Sequence, residues 1–477
     1  MNRPIRRLFL VMVLMFGSLV AVLAWWQVIQ QQSLADNPHN TRKVFAQMRI
    51  ERGLILDRDR GELAGNRQEG ELYYRTYPRG DLAPHLLGYS DATYGRTGLE
   101  RSWNDYLTGT ADEVELLNAL GALMGEEQRG ADLELTLDPV VQKTALDAMQ
   151  EIGKRGAVVV LDVKTGAVLA MASSPTYDPN LLAQNWDRLN ADAGAPLLNR
   201  ATQGLYTPGS SFKLVTTAAA LDTGAYTPES RFSDDRGSIE IYGNTIRNWR
   251  DLPFGDHDLS EAFSQSINTT FAQVGENLGQ DTLIDYMKAF GLYSRPEFDL
   301  PEDEIMPSGR YEDGELAPPD EKLDPVQTAW MAIGQENLQV TPLQMAVIAQ
   351  AIANGGRMMR PYVVDSVSDF DGTVIKQAGP EETGRPISGD TAARMKDMMV
   401  KVVNEGTGSK VKTGKVQIAG KTGTAEVEGR GPNAWFVGFA PAEQPRIAIA
   451  VVVEDSDAGG GISGPVALKT ILAALGL

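Results

Sequence analysis

Cysteine is absent from the 477 residues, which excludes a thiol nucleophile, a thiolate metal site and any disulfide. Histidine is scarce: His39, His85 and His257 are the only three, and no two have the spacing of a metal-binding pair. A histidine zinc site and a Ser-His-Asp triad are therefore argued against, and any serine chemistry must find another base. Basic charge is in deficit, with 44 Lys and Arg against 63 Asp and Glu for a formal net charge of -19. That balance excludes nucleic acid as the main partner, because phosphate binding needs clustered cations. Long uncharged runs are missing as well, with one exception.

The exception opens the chain. In "MNRPIRRLFLVMVLMFGSLVAVLAWWQVIQ" an apolar run from Leu8 to Trp26 follows Arg3, Arg6 and Arg7. Its length suits one membrane-spanning helix. The arginines predict a cytoplasmic tail at residues 1–7, an anchor at 8–26 and an exported body, with Trp25 and Trp26 at the outer interface. A cleaved signal peptide is the rival reading. Val22-Leu23-Ala24 loosely fits a cleavage site, but the run is long and bulky Trp follows.

Residues 27–129 are rich in charge and turns and show no nucleophile beside a base, so they read as a pedestal or partner surface. Within them "RIERGLILDRDRGELAG" predicts a short strand at 53–56, a polar turn at 57–61 and a return. Glycines at Gly125–Gly130 mark a boundary, and residues 130–477 form the second unit. There Asp138 and Pro139 predict the N-cap and first position of a helix. "GAVVVLDVKTGAVLAMAS" predicts two β-branched strands joined by a turn at Lys164-Thr165-Gly166. The acid- and proline-rich "SRPEFDLPEDEIMPSGRYEDGELAPPDEKLDP" is expected to be a solvated loop. The end predicts strands at "AWFVGFAP" and "RIAIAVVVED", a flexible "SDAGGGISG" and a helix over 465–475.

"LYTPGSSFKLVTTAAALDTG" carries the most chemistry. A helix is predicted from Ser210 to just before Gly224. Ser210 and Lys213, three apart, then share a face. Lys213 is the only charge between Ser210 and Leu221, so its amine is expected to be buried. A buried ammonium must be paired or lose its proton. Desolvation and a second cation both lower a lysine pKa, and an uncharged lysine can take a proton from serine. The Ser-x-x-Lys pattern alone is weak, since Ser409 and Lys412 match it in a charged loop.

Two further motifs add support. "DLSEAFSQSINTTFAQVGENLG" begins with Asp258 and Glu261 at capping-box spacing and holds Ser266-Ile267-Asn268. Ser102-Trp103-Asn104 repeats that Ser-x-Asn in the pedestal. "VQIAGKTGTAEVE" places Lys421-Thr422-Gly423-Thr424 in a strand pattern. Gly423 removes a side chain where another backbone can approach, and Thr422 and Thr424 share a face that can line an extended peptide. The earlier triplets, at Lys164 and at Lys412–Gly414, read as turn and loop.

In this order the three motifs resemble those of penicillin-binding proteins and class A β-lactamases. With "RGLILDRDRGELA", "GLERSWNDYLTG", "GQENLQVTPLQMAVIAQAIANGG" and "AWFVGFAP", nearly the whole chain is similar to a class B penicillin-binding protein, a membrane-anchored peptidoglycan D,D-transpeptidase. It is most similar to the compact actinobacterial-type division enzymes. The resemblance implies an α+β fold: a small mixed pedestal before a transpeptidase domain with a central antiparallel sheet between helices. It implies that Ser210 attacks the penultimate D-Ala carbonyl of a stem peptide, or a β-lactam ring, with Lys213 as base. Ser266 would relay the proton, Asn268 hold the substrate amide, and Lys421 supply positive potential. Thr422 and Thr424 would bind the terminal carboxylate, with Gly423 between them. Backbone N–H groups of Ser210 and Thr424 would form the oxyanion hole. An amine from a neighbouring strand would then accept the acyl group. No metal or organic cofactor is implied.

The β-lactamase alternative lacks a Glu-x-x-Leu-Asn downstream of Asn268. A D,D-carboxypeptidase shares the same acyl-enzyme and stays open as an alternative. A non-turnover β-lactam sensor needs a cytoplasmic output domain, and only seven residues precede the span. The pedestal is too short for a glycan-polymerising domain, so a separate polytopic membrane polymerase is the expected partner.

Overall fold

The computed structural model describes residues 3–25, 47–123, 127–427, 429–456 and 459–477. Expectations that fall on Trp26, residues 27–46 and the start of the glycine boundary at 124–126 lie outside the described residues. Helix α1, Arg3–Ala24, takes in the three arginines and the apolar run as far as Ala24. At 1.5 Å per residue its 22 residues reach about 33 Å, enough for a hydrocarbon core. None of them is buried, from Leu8 to Leu23.

The pedestal motifs find each other through charge. Strand β1, Ile55–Leu56, turns back into β2, Glu62–Glu69, which pairs with β3, Leu72–Thr76. Asp57 Oδ1 closes the turn by accepting from the N–H groups of Asp59 and Gly61 at 3.0 and 2.7 Å. Behind it Glu100, fully buried, accepts from Arg52 Nε at 2.7 Å and Arg75 Nε at 2.5 Å. Burial alone would raise the Glu100 carboxyl; the two guanidinium groups outweigh it and hold the pKa below its ordinary value. The second Ser-x-Asn is part of this lock: Asn104 Oδ1 accepts from Arg52 Nη1 at 2.9 Å.

One mixed sheet draws strands from both sides of residue 130. Its order is β8-β7-β4-β1-β2-β3, where β4 is Asp132–Leu135, β7 Val364–Ser368 and β8 Val374–Gln377. Only the β1–β4 pair is parallel.

The second sheet is the frame of the molecule. Helix α2, Pro139–Ile152, starts where Asp138 accepts from the N–H groups of Val140 and Val141, and ends at Gly153 with φ 60°. Strands β5, Gly156–Asp162, and β6, Val168–Ser174, follow. At the turn between them Asp162 Oδ1 accepts from Lys164 N, Thr165 N and Thr165 Oγ1. Gly166 sits at φ 82°, where a Cβ would lie 2.3 Å from Arg360 O. The remaining strands are β9, Ala419–Val427, β10, Arg430–Ala440, and β11, Ile447–Val453, in the antiparallel order β9-β10-β11-β5-β6. Alternation in β5 sends Val158 and Val160 into the layer with Val141 of α2 and Ile471 of α8, Gly459–Leu475. Ala157, Val159 and Leu161 enter the other layer with the fully buried helix α6, Pro342–Ala353.

Two expectations are corrected. Helix α8 begins at Gly459, not Pro465, which lies within it. The glycines there yield close packing: a Cβ on Gly460 would lie 2.7 Å from Thr422 Cγ2, so tertiary contact overrides poor helix propensity. The acid-rich stretch is not a free loop. Asp299 Oδ2 accepts from Val363 N and Val364 N at 2.6 and 2.9 Å, Glu304 accepts from Gly98 N at 3.0 Å, and Asp303 pairs with Arg101 at 2.9 Å. It fastens the second unit to the pedestal, and burial raises the Asp299 and Glu304 carboxyls.

Glu100→Ala leaves two buried guanidinium groups uncompensated. We expect a loss of about 3–5 kcal/mol in stability, read by denaturant unfolding; a change near zero would show that the triad is not load-sharing.

Candidate functional site

The serine turn is shaped by what crowds it. Trp435 Nε1 on β10 donates to Thr207 O at 3.0 Å, and Gly209 N donates to Gly334 O at 3.0 Å. Gly209 has φ 50°, and a Cβ there would lie 2.4 Å from Thr424 O; a Cβ on Gly334 would lie 1.9 Å from Gly209 O. No side chain fits at either position. Residues Gly209–Phe212 form a 3₁₀ turn, and helix α3 runs Lys213–Asp222. The helix was expected to be α from Ser210; the tighter turn is held by Ser211 Oγ donating back to Pro208 O at 2.7 Å. Ser210 is half-buried between a buried Gly209 and a buried Ser211.

Lys213 is fully buried. Its Nζ donates to Ser266 O and Asn268 Oδ1, both at 2.8 Å, and lies 3.4 Å from Ser266 Oγ. No hydrogen bond joins it to Ser210 Oγ. An uncharged amine has two N–H groups and one lone pair. The two short bonds use both N–H groups and leave the lone pair free. Helix α4, Leu259–Gln265, and helix α5, Asn268–Ala289, deliver this partner pair. Asp258 caps α4 by accepting from Glu261 N. Ser266 between the helices sits at φ 62°, a conformation costly for a non-glycine residue and frequent at functional sites. Asn268 also donates from Nδ2 to Arg247 O at 2.9 Å, so its amide is braced on both sides.

Lys421 on the edge strand β9 is the second buried amine. Its Nζ donates to Ser266 Oγ at 2.9 Å and to Thr422 O at 3.0 Å. Neither lysine forms an ion pair with a carboxylate among the described residues. Each lies instead over a ring, Lys213 at 5.1 Å from the Phe271 centroid and Lys421 at 5.7 Å from that of Phe263. Burial pushes the Lys421 amine down to about 7. Burial, and then the charge of Lys421, push Lys213 well below the lysine range. Gly423 faces the serine turn: a Cβ there would lie 2.7 Å from Pro208 O and 2.9 Å from Ser211 N. Thr422 is buried and Thr424 exposed.

The rival motif copies stay apart. Lys412 is exposed and reaches only Asn404 O, at 3.3 Å. His257 is a buried core residue between Gly255 O and Thr270 Oγ1, and burial lowers His85 to about 4. Among the described residues no cluster of His, Cys, Asp or Glu is arranged to hold a metal.

Sequence reasoning missed three contributors: Gly334, Trp435 as an anchor of the turn, and Thr407, whose Oγ1 lies 2.6 Å from Thr422 Oγ1. The glycine in "GQENLQ" and the Trp in "AWFVGFAP" left a sequence trace, but their partners in the serine turn were unreadable.

The chain is similar to known proteins along nearly its whole length. Residues 156–472 match the penicillin-binding protein transpeptidase domain, and residues 52–133 match the penicillin-binding protein A dimerisation domain. The chain is 35% identical over 499 residues to the peptidoglycan D,D-transpeptidase PbpA of Mycolicibacterium smegmatis, covering 100% of this chain and 99% of that one. It superposes with a TM-score of 0.83 on penicillin-binding protein A from M. tuberculosis in a ceftriaxone acyl-enzyme complex, at 34% identity, covering 90% of this chain and 100% of that one. A D,D-transpeptidase domain from Eggerthella lenta gives 0.80 at 37% identity, covering 90% and 99%.

The glycines of the two late triplets separate by substitution. Gly423→Ala forces backbone apart and is expected to cost about 1–3 kcal/mol in thermal or chemical unfolding. Gly414→Ala, with nothing within 4 Å of the new methyl, is expected to be near neutral. Equal effects would contradict the packing described.

Proposed function

The chain belongs to the class B penicillin-binding proteins and is a peptidoglycan D,D-transpeptidase; on that premise we propose that Ser210 is its nucleophile and Lys213 the base that activates it. Ser210 Oγ adds to the carbonyl carbon of the penultimate D-Ala while Lys213 Nζ takes its proton. The N–H groups of Ser210 and Thr424 hold the oxyanion, a contribution of several kcal/mol in acyl transfer. As the C–N bond breaks, the leaving amine of the terminal D-Ala takes a proton relayed through Ser266. The ester on Ser210 is then attacked by an acceptor amine of a second stem peptide, which forms the cross-link and returns the proton to Ser210. A β-lactam follows the first half and stays as the ester. Asn268 holds the substrate amide, Lys421 supplies positive potential, and Thr422 and Thr424 bind the terminal carboxylate with Gly423 allowing close approach.

The observation that carries this reading is the pair of buried amines on one serine hydroxyl with no carboxylate beside them. The edge position of β9 supports the peptide's docking as an added strand. The reading extends to the cell. Helix α1 anchors the protein in the membrane by a single pass with the body outside the cytoplasm, as the arginines at its start support. Residues 27–129 serve as pedestal and 130–477 as transpeptidase. Glycan chains come from a separate polytopic membrane polymerase, supported by the match of residues 52–133 to a dimerisation domain rather than a polymerising one.

Labelling with a fluorescent penicillin tests the chemistry. Wild type is expected to form a covalent adduct, Ser210→Ala none, and Lys213→Ala an adduct slower by about 10²–10⁴-fold. Lys412→Ala is expected to label normally. A stable adduct on Ser210→Ala would refute the assignment.

A further inference from the structure

Thr407 lies in the loop after helix α7, Gly389–Glu405. Its Oγ1 is 2.6 Å from Thr422 Oγ1, and its N–H donates to Ser264 O at 3.2 Å. One residue thus touches the strand position next to Lys421 and the helix end two residues before Ser266. The backbone around it is closely packed. A Cβ on Gly406 would lie 2.2 Å from Ser264 O, and one on Gly460 would lie 2.9 Å from Thr407 O. Thr422 is 5% exposed, while Thr407 itself is exposed.

We propose that Thr407 is a positioning residue for recognition of the donor's terminal carboxylate: its hydroxyl donates to Thr422 Oγ1 and thereby commits the Thr422 proton to the substrate. A hydroxyl has one proton and two lone pairs, and a carboxylate only accepts. Were Thr422 to give its proton to Thr407, it would turn lone pairs toward the anion. With Thr407 donating, the chain runs Thr407 to Thr422 to carboxylate, and each bond polarises the next. The inference rests on the assignment of Thr422 to carboxylate binding.

The test uses two thioester acyl donors, an N-acylated D-Ala thioester of thioglycolic acid with its carboxylate free and the methyl ester of the same compound. Thr407→Val, with Thr407→Ala as a second deletion, is expected to raise KM for the free acid about tenfold, the scale of one charge-assisted hydrogen bond. The kcat for that donor and the KM for the methyl ester are expected to hold. Thr407→Ser is expected to restore the wild-type value. A merely structural role would impair both donors alike and would not separate KM from kcat. An unchanged KM for the free acid, equal loss on both donors, or no rescue by Ser overturns the proposal. Ser210→Ala run in parallel separates the two levels: its remaining inert while Thr407→Val behaves as wild type overturns this inference alone.

Discussion

Two lysine amines converge on one serine hydroxyl, and among the described residues no carboxylate pairs with either. Lys421 Nζ is 2.9 Å and Lys213 Nζ 3.4 Å from Ser266 Oγ, and both side chains are fully buried. A protein interior penalises a bare ammonium by several kcal/mol, and two of them sharing a neighbour repel. The cheaper state leaves at least one amine uncharged. Desolvation acts on both and their charges repel mutually; Lys421 falls to about 7, and Lys213 is pushed well below the lysine range. Lys213 is therefore the amine that gives up its proton. The arrangement favours the uncharged form of a residue that is a cation in water, without histidine and without a carboxylate.

Holding that state requires a scaffold that keeps water and carboxylates out. The five-stranded sheet supplies Lys421 from its edge, and the 3₁₀ turn brings Lys213 in from the other side. Backbone, not side chain, sets the spacing. Gly209, Gly334 and Gly423 each stand where a methyl group would meet a carbonyl oxygen at 2.7 Å or less. Phe263 and Phe271 close the far side with aromatic faces that tolerate a cation without pairing it. The pedestal uses charge differently. There a buried Glu100 is satisfied by two guanidinium groups, which locks the fold and leaves nothing reactive.

Much of this was readable from residues. The lone charge in "SSFKLVTTAAAL" foretold a buried amine, and the strand pattern around Lys421 separated it from Lys164 and Lys412. Asp138, Asp258 and the Asp162 turn are local hydrogen-bond signals, and local signals survive in sequence. What was not readable was long-range. The acid-rich stretch looked solvated because its partners, Gly98, Arg101 and the backbone at Val363, lie some 200 residues upstream or 60 downstream. Helix α8 looked too glycine-rich to start at Gly459, because the strand it packs against is set by the tertiary fold. Thr407 carried no pattern at all; its contacts with Thr422 and Ser264 are set by the tertiary fold.

The central claim is that Lys213 is uncharged at neutral pH. It is tested most directly by the rate of penicillin acylation of Ser210 as a function of pH, measured on the intact protein. A group whose pKa is depressed loses its proton early in a rising titration. The rate should therefore climb through an acid limb and level off below the ordinary lysine range. A rate that is low at neutral pH and still rises tenfold per unit through pH 9 to 10 would mean an ordinary charged lysine, and would contradict the account.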